Sequence, residues 1–150
     1  MISRKLTEYL RSSIFIRGLE AKSEIEAIEK MIGALSDHPA VKDPAALSAA
    51  IFTRQQSDPP TFPGGIAFPH ARTDSVSSLV LVTATCPQPV PFRDAQIRLL
   101  FLIGVPKAAV ADYLEVTSFL IRHVRASHLL DRLVMANDFP SFLAAFSENS

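Results

Sequence analysis

A histidine sits directly after a proline in GGIAFPHART, residues 64–73. Pro69 fixes its own φ and drives Phe68 into an extended conformation, so the backbone entering His70 is stiff. Gly64 and Gly65 permit close backbone approach just upstream. Such a frame presents a ring nitrogen at a fixed point. An imidazole with an unperturbed pKa of about 6.5 is a competent nucleophile at neutral pH. The same placement suits a structural histidine at a half-buried turn, and spacing alone favours that plainer reading. Arg54 is the second candidate. It closes a helical stretch upstream of the histidine, where a cation complements the dipole of the helix C-terminus. Its planar fork is equally suited to phosphate oxygens beside His70. Spacing does not separate these two roles.

Other chemistry finds no support. The chain has no G-x-S-x-G, no phosphate-binding P-loop and no H-E-x-x-H. His38, His123 and His128 are scattered, without the pairing of a zinc helix. His123 and His128 read as ordinary helix residues. Gly64 and Gly65 do not form a dinucleotide-binding G-x-G-x-x-G. The single cysteine, Cys86, excludes an internal disulfide and a multi-thiolate metal site. No metal or cofactor is expected.

Fifteen basic residues balance fifteen acidic ones. That argues against a nucleic-acid binder working by bulk charge, which would carry a basic surplus. No apolar run reaches the roughly 18 residues needed to span a bilayer, and the N-terminal MISRKLTEYLRSS lacks the apolar centre of a signal peptide. A cytoplasmic address fits. The apolar content of 48% is enough for a core. No linker divides the chain, so residues 1–150 read as one domain.

The elements that must position His70 and Arg54 follow from pattern. SIFIRGL (13–19) predicts a strand. Ser23 with Glu26 forms a capping box, and Ile25, Ile28, Ile32 and Leu35 mark the apolar face of the helix it opens. Asp43 caps a second helix with Pro44 in its first position, expected to run to about Thr53 and to bury Leu47 and Ile51. QQSDPPTFPGG (55–65), with three prolines and two glycines, predicts a loop. SLVLVTATC (78–86) predicts a strand, PQPVPF an extended proline-rich turn, and IRLLFLIGV (97–105) a central strand covered on both faces. Leu114, Thr117/Phe119, Leu120 and Val124 mark a helix from Val110 to about Val124. SHLLDRLVMAN gives another, from a Ser127 cap to about Asn137, and DFPSFLAAFSE a last short one. Together they predict an α/β fold, a single-domain sandwich of helices around a sheet.

At this point the chain resembles a known family, the enzyme IIA domains of the fructose, mannitol and nitrogen-regulatory type in the bacterial phosphotransferase system. The resemblance covers about Leu6 to Phe146 and is strongest in GGIAFPHART. The PVPF turn, the strand IRLLFLIGVP and the order of elements agree with it. It implies a mixed sheet flanked by helices. It also implies that His70 accepts a phosphoryl group from the phosphocarrier HPr or a paralogue and passes it to an enzyme IIB partner. Arg54 corresponds to the family's phosphate-stabilising arginine. Three positions depart from the family pattern. Arg54–Gln55 stands where Arg-Glu is common, which implies a missing acidic partner. Pro59–Pro60 with Thr61 stands where a Ser-Thr pair is usual, so a hydroxyl is displaced or lost. Tyr113 takes the place of a second histidine. A tyrosine can donate a hydrogen bond there but cannot shuttle a proton at neutral pH.

Two functions follow from the resemblance. One is a phosphocarrier in sugar uptake. The other is a regulatory module, whose phosphorylation state controls a partner protein. A scaffold that takes no phosphate is a third, weaker reading, and a metal hydrolase is weakest of all, for want of ligands. The sequence does not name the sugar or pathway, nor the oligomeric state.

Overall fold

The computed structural model describes residues 4–57, 61–62, 64–124 and 127–147. Its centre is a six-stranded mixed sheet. The long strands β5 (Val80–Phe92) and β6 (Ala95–Val105) form an antiparallel hairpin. β1 (Ile14–Ile16) adds parallel to β5. On the other side of β6 lie β3 (Ile66–Ala67) and β4 (His70–Arg72), both parallel to it, and β2 (Thr61–Phe62) pairs antiparallel with β3. Ala67 faces Leu100 and His70 faces Ile103, so β3 and β4 run in one register along β6 and are interrupted only at Phe68–Pro69. Pro69 has no N–H to give, but its carbonyl accepts the Ile103 N–H at 2.9 Å. The histidine thus enters the ladder rather than a free loop.

Helices cover both faces, as the apolar run of β6 requires. α2 (Glu24–Gly33) and α3 (Pro44–Ser57) pack on one side through Ile28, Met31, Leu47 and Ile51. α1 (Arg4–Arg11), α4 (Val110–Val124), α5 (Ser127–Val134) and α6 (Phe139–Ser147) enclose a second core around Phe101, Phe119 and Phe142. The caps are where composition put them. Ser23 Oγ accepts the Glu26 N–H at 3.1 Å, and Asp43 Oδ1 accepts the Ala46 N–H at 3.1 Å. Asp138 repeats the device for α6, accepting the Ser141 N–H at 2.8 Å.

Several expectations need correction. α3 runs through Gln55 and Gln56 to Ser57, past the Thr53 end read from the sequence. PQPVPF is not a turn: β5 continues through it after a bulge between Thr85 and Val90. β1 pairs only with Val82 to Ala84, so these prolines lie beyond it and leave no ladder bond unmade on that side. Ile25 and Leu114 are exposed, at 57% and 56%, and Met31 and Val116 fill the faces assigned to them. α1 was not expected, because its charges hide a short amphipathic face anchored by buried Leu10. α5 ends at Val134, short of Asn137. The Ser127 side chain and Pro59–Pro60 lie outside the described residues.

Gly104 sets how closely α3 can approach this part of the sheet. A Cβ there would lie 2.9 Å from Val80 and 3.2 Å from Leu47. Gly104→Ala should therefore overpack the core and cost about 1–3 kcal/mol. Chemical denaturation measures this, and an unchanged midpoint would mean that the Leu47 contact has slack.

Candidate functional site

His70 is only 7% exposed, yet it lines an open cleft of about 620 Å³. The backbone frame fixes its ring. Phe68 is buried and stacks on Phe101 with ring centroids 5.4 Å apart, so its carbonyl is held still. His70 Nδ1 lies 2.8 Å from that oxygen. A carbonyl only accepts, so Nδ1 carries the proton and Nε2 the lone pair. Nε2 in turn accepts from the Tyr113 hydroxyl at 2.9 Å. The two rings stack at 4.8 Å with 27° between their planes. Burial lowers the pKa of His70 below its usual 6.5; the Phe68 carbonyl opposes this, and the nearby Arg54 charge adds to it. The ring is therefore neutral at physiological pH. Burial also raises the pKa of Tyr113, with Arg54 opposing, so its hydroxyl keeps its proton.

The cleft straddles β4, with α3 on one side and the first turn of α4 on the other. From α3 it takes Ala49, Ala50, Thr53 and Arg54; from β4, His70, Ala71 and Arg72; from α4, Tyr113. All three residues expected from the sequence converge here. Arg54 is half-buried, and its charge is felt at both His70 and Tyr113. Both nitrogens of His70 are satisfied within the protein, as those of a purely structural histidine would be. A structural role, however, does not require two guanidiniums on one cleft.

Arg72 is the second guanidinium, and sequence reasoning missed it. The signal was present in FPHART: on a strand, residues two apart share a face. His70 and Arg72 therefore share one face of β4 and both line the cleft, with Ala71 buried between them. Small side chains at Ala49 and Ala50 leave it open. A neutral imidazole with a fixed lone pair, flanked by cations and a hydroxyl donor, suits a tetrahedral dianion carried by another molecule.

Residues 8–149 match the family described as "Phosphoenolpyruvate-dependent sugar phosphotransferase system, EIIA 2". The chain belongs to this family. A curated relative, the fructose-specific EIIA component of Haloferax volcanii, is 31% identical over 113 residues, 73% of each chain. Solved structures agree in fold. The nitrogen regulatory protein IIA-Ntr from Neisseria meningitidis superposes with a TM-score of 0.84 at 22% identity, covering 95% of this chain and 99% of that one. The mannitol IIA of Escherichia coli, solved in complex with phosphorylated enzyme IIB, gives 0.78 at 19%, covering 91% and 96%. Among the described residues, no helix of this EIIA is long and apolar enough to cross a membrane.

Two of the departures from the family pattern change meaning in the folded EIIA. Gln55 does not line the His70 cleft. It is buried on the α2 side of α3 and donates from Nε2 to Glu24 Oε2 at 3.0 Å. Consecutive helical residues point about 100° apart, so Gln55 takes nothing from the cleft that Arg54 faces. Thr61 lies in β2 and pairs with Ala67. Among the described residues, the hydroxyls that line the cleft belong to Thr53 and Tyr113. Tyr113, the third departure, is at the centre of the site.

Proposed function

We propose that this EIIA domain is a phosphocarrier. His70 Nε2 accepts a phosphoryl group from phosphorylated HPr or a paralogue and passes it to an enzyme IIB in sugar uptake, with residues 1–150 acting as one unit. The carrying observation is the Phe68 carbonyl on Nδ1, which leaves the Nε2 lone pair on the cleft side. In the first step that lone pair forms the N–P bond. The donor's N–P bond breaks, and its electron pair returns to the donor nitrogen. In the second step an acceptor thiolate of enzyme IIB attacks phosphorus, and the N–P electrons return to Nε2. The Nδ1 proton stays in place, because a carbonyl cannot remove it. The ring therefore leaves as a neutral imidazole. Arg54 and Arg72 share the charge of the dianion in flight.

Tyr113 must step off Nε2 before attack, and its hydroxyl then has a phosphoryl oxygen to bond. A hydrogen bond to a charged acceptor contributes about 1.5–3 kcal/mol against about 1 for a neutral one. The contact thus gains on passing from ground state to transition state. Tyr113→Phe should slow transfer roughly 3- to 30-fold, with a stability loss of no more than about 1 kcal/mol because the open cleft lets water replace the hydroxyl. A faster variant would instead make the hydroxyl a brake on the nucleophile.

The test of the function is incubation with phosphorylated HPr. The expected product carries an acid-labile, alkali-stable phosphate mapped to His70 by mass spectrometry. No uptake from any HPr paralogue would overturn the proposal. The second reading is a regulatory module of the nitrogen-regulatory kind. The Tyr113 contact on Nε2 favours it, because that contact stabilises the unphosphorylated state. Phosphoryl uptake without onward transfer to any enzyme IIB, combined with binding of a partner in one phosphorylation state only, would select it.

A further inference from the structure

Behind the cleft, on the far side of α3, three charged and polar side chains meet around the helix end that carries Arg54. Arg93 lies in the two-residue turn between β5 and β6. Its Nη2 donates to the Gln55 carbonyl at 2.9 Å and to the Gln56 carbonyl at 3.3 Å. Its Nε lies 3.6 Å from Glu24 Oε1. Glu24 also accepts from the Gln55 side chain. The sheet hairpin, the start of α2 and the end of α3 are thereby joined at one point.

Two features show that this is more than a surface ion pair. The last carbonyls of a helix have no partner within it, and Arg93 supplies one to two of them. Arg93 also has φ of 54°, the left-handed region, and among the described residues no other non-glycine has a positive φ. Glycine, asparagine or aspartate would meet that turn more easily, and a long side chain there costs on the order of 1 kcal/mol. The arginine is strained in its backbone and engaged through its side chain.

We propose that Arg93 is a positioning residue for phosphoryl transfer: it clamps the C-terminal turn of α3 and so fixes Arg54 against the His70 cleft. This rests on the reading of His70 and Arg54 as the phosphoryl site. Arg54 immediately precedes Gln55, whose carbonyl Arg93 holds. A frayed last turn would release Arg54 first among the cleft residues. Gln55 fits the same device. With Glu24 already supplying the carboxylate, a glutamate at 55 would bring two carboxylates within hydrogen-bond distance.

The experiment compares four full-length proteins: wild type, Arg93→Gly, Arg54→Ala and the double variant. Glycine relieves the positive φ while removing the clamp, so the fold is retained and thermal unfolding checks it. Arg93→Gly should slow phosphoryl uptake from phosphorylated HPr at least 10-fold, through kcat rather than KM. Amide exchange over residues 54–57 should accelerate. In the Arg54→Ala background the same change should alter the rate less than 2-fold, because its effect passes through Arg54. Equal slowing in both backgrounds would overturn the proposal, as would wild-type rates in Arg93→Gly. A wild type that takes up no phosphate removes the proposed function itself. A wild type that transfers beside an equally fast Arg93→Gly removes only the role of Arg93.

Discussion

His70→Ala should take up no phosphoryl group while still folding. Among the described residues, the variant loses the only side chain in the cleft that offers a neutral nitrogen lone pair to phosphorus. The other groups there are guanidiniums, hydroxyls and methyl groups. Arg54 and Arg72 would still attract the donor, so binding of phosphorylated HPr should survive and the two measurements separate. Folding costs are modest. The substitution leaves the Phe68 carbonyl and the Tyr113 hydroxyl without their ring partners, about 1–3 kcal/mol for each that stays dry, and the open cleft admits water to both. A variant that still acquires acid-labile phosphate would place the acceptor elsewhere.

The same residue predicts a pH dependence. The folded pKa of His70 lies below 6.5, by burial first. An unfolded chain therefore takes up this proton at higher pH than the folded one. The stability linked to it is complete above pH 6.5 and is lost as pH falls through the folded value. Wild type should thus lose stability on acidification over this range, and His70→Ala should lose less. Because less than half of the ring is protonated at pH 6.5, phosphoryl uptake there should stay above half of its plateau value. Uptake that titrates with an apparent value at or above 6.5 would show that burial does not govern the nucleophile.

Elements were legible where a local rule settles them. Ser23, Asp43 and the apolar run of β6 each specify structure within a few residues, and each stands where expected. Legibility failed where tertiary contacts outweigh local chemistry. Gln55 and Gln56 are helical because Arg93, distant in sequence, caps their carbonyls. The prolines of β5 are tolerated because β1 ends before reaching them. α1 gains its face only against α4 and β5, the Tyr9 hydroxyl donating to Asp112 Oδ2 at 3.4 Å.

For the site, sequence supplied residue types but not directions. Pro69 announced a stiff entry to His70, but the carbonyl that selects its tautomer is visible only with Phe68 pinned on Phe101. Against the family pattern Gln55 reads as a loss to the site, yet consecutive helical residues point about 100° apart, and Gln55 faces Glu24 rather than the cleft. Arg72 was passed over although strand alternation from His70 points to it.

Arg54→Ala should slow phosphoryl transfer roughly 100- to 1,000-fold, the usual cost of removing one preorganised stabiliser of transition-state charge. The reason for so large an effect is position. Arg54 is half-buried at the end of a helix, and its field reaches both the nucleophile and its hydroxyl partner. Arg72 lies on the exposed side of the same cleft, where solvent screens it more strongly, so it cannot substitute fully. Stability should change little, because a partly solvated charge at a helix end contributes about 0.3–1 kcal/mol. Arg54→Lys should recover only part of the rate. It keeps the charge but loses the fork that meets two phosphoryl oxygens at once. Single-turnover transfer from phosphorylated HPr, alongside thermal unfolding, tests both halves. A slow variant that is also strongly destabilised would assign Arg54 to the fold. Wild-type kinetics in a stable variant would leave the dianion to Arg72 and Tyr113 alone.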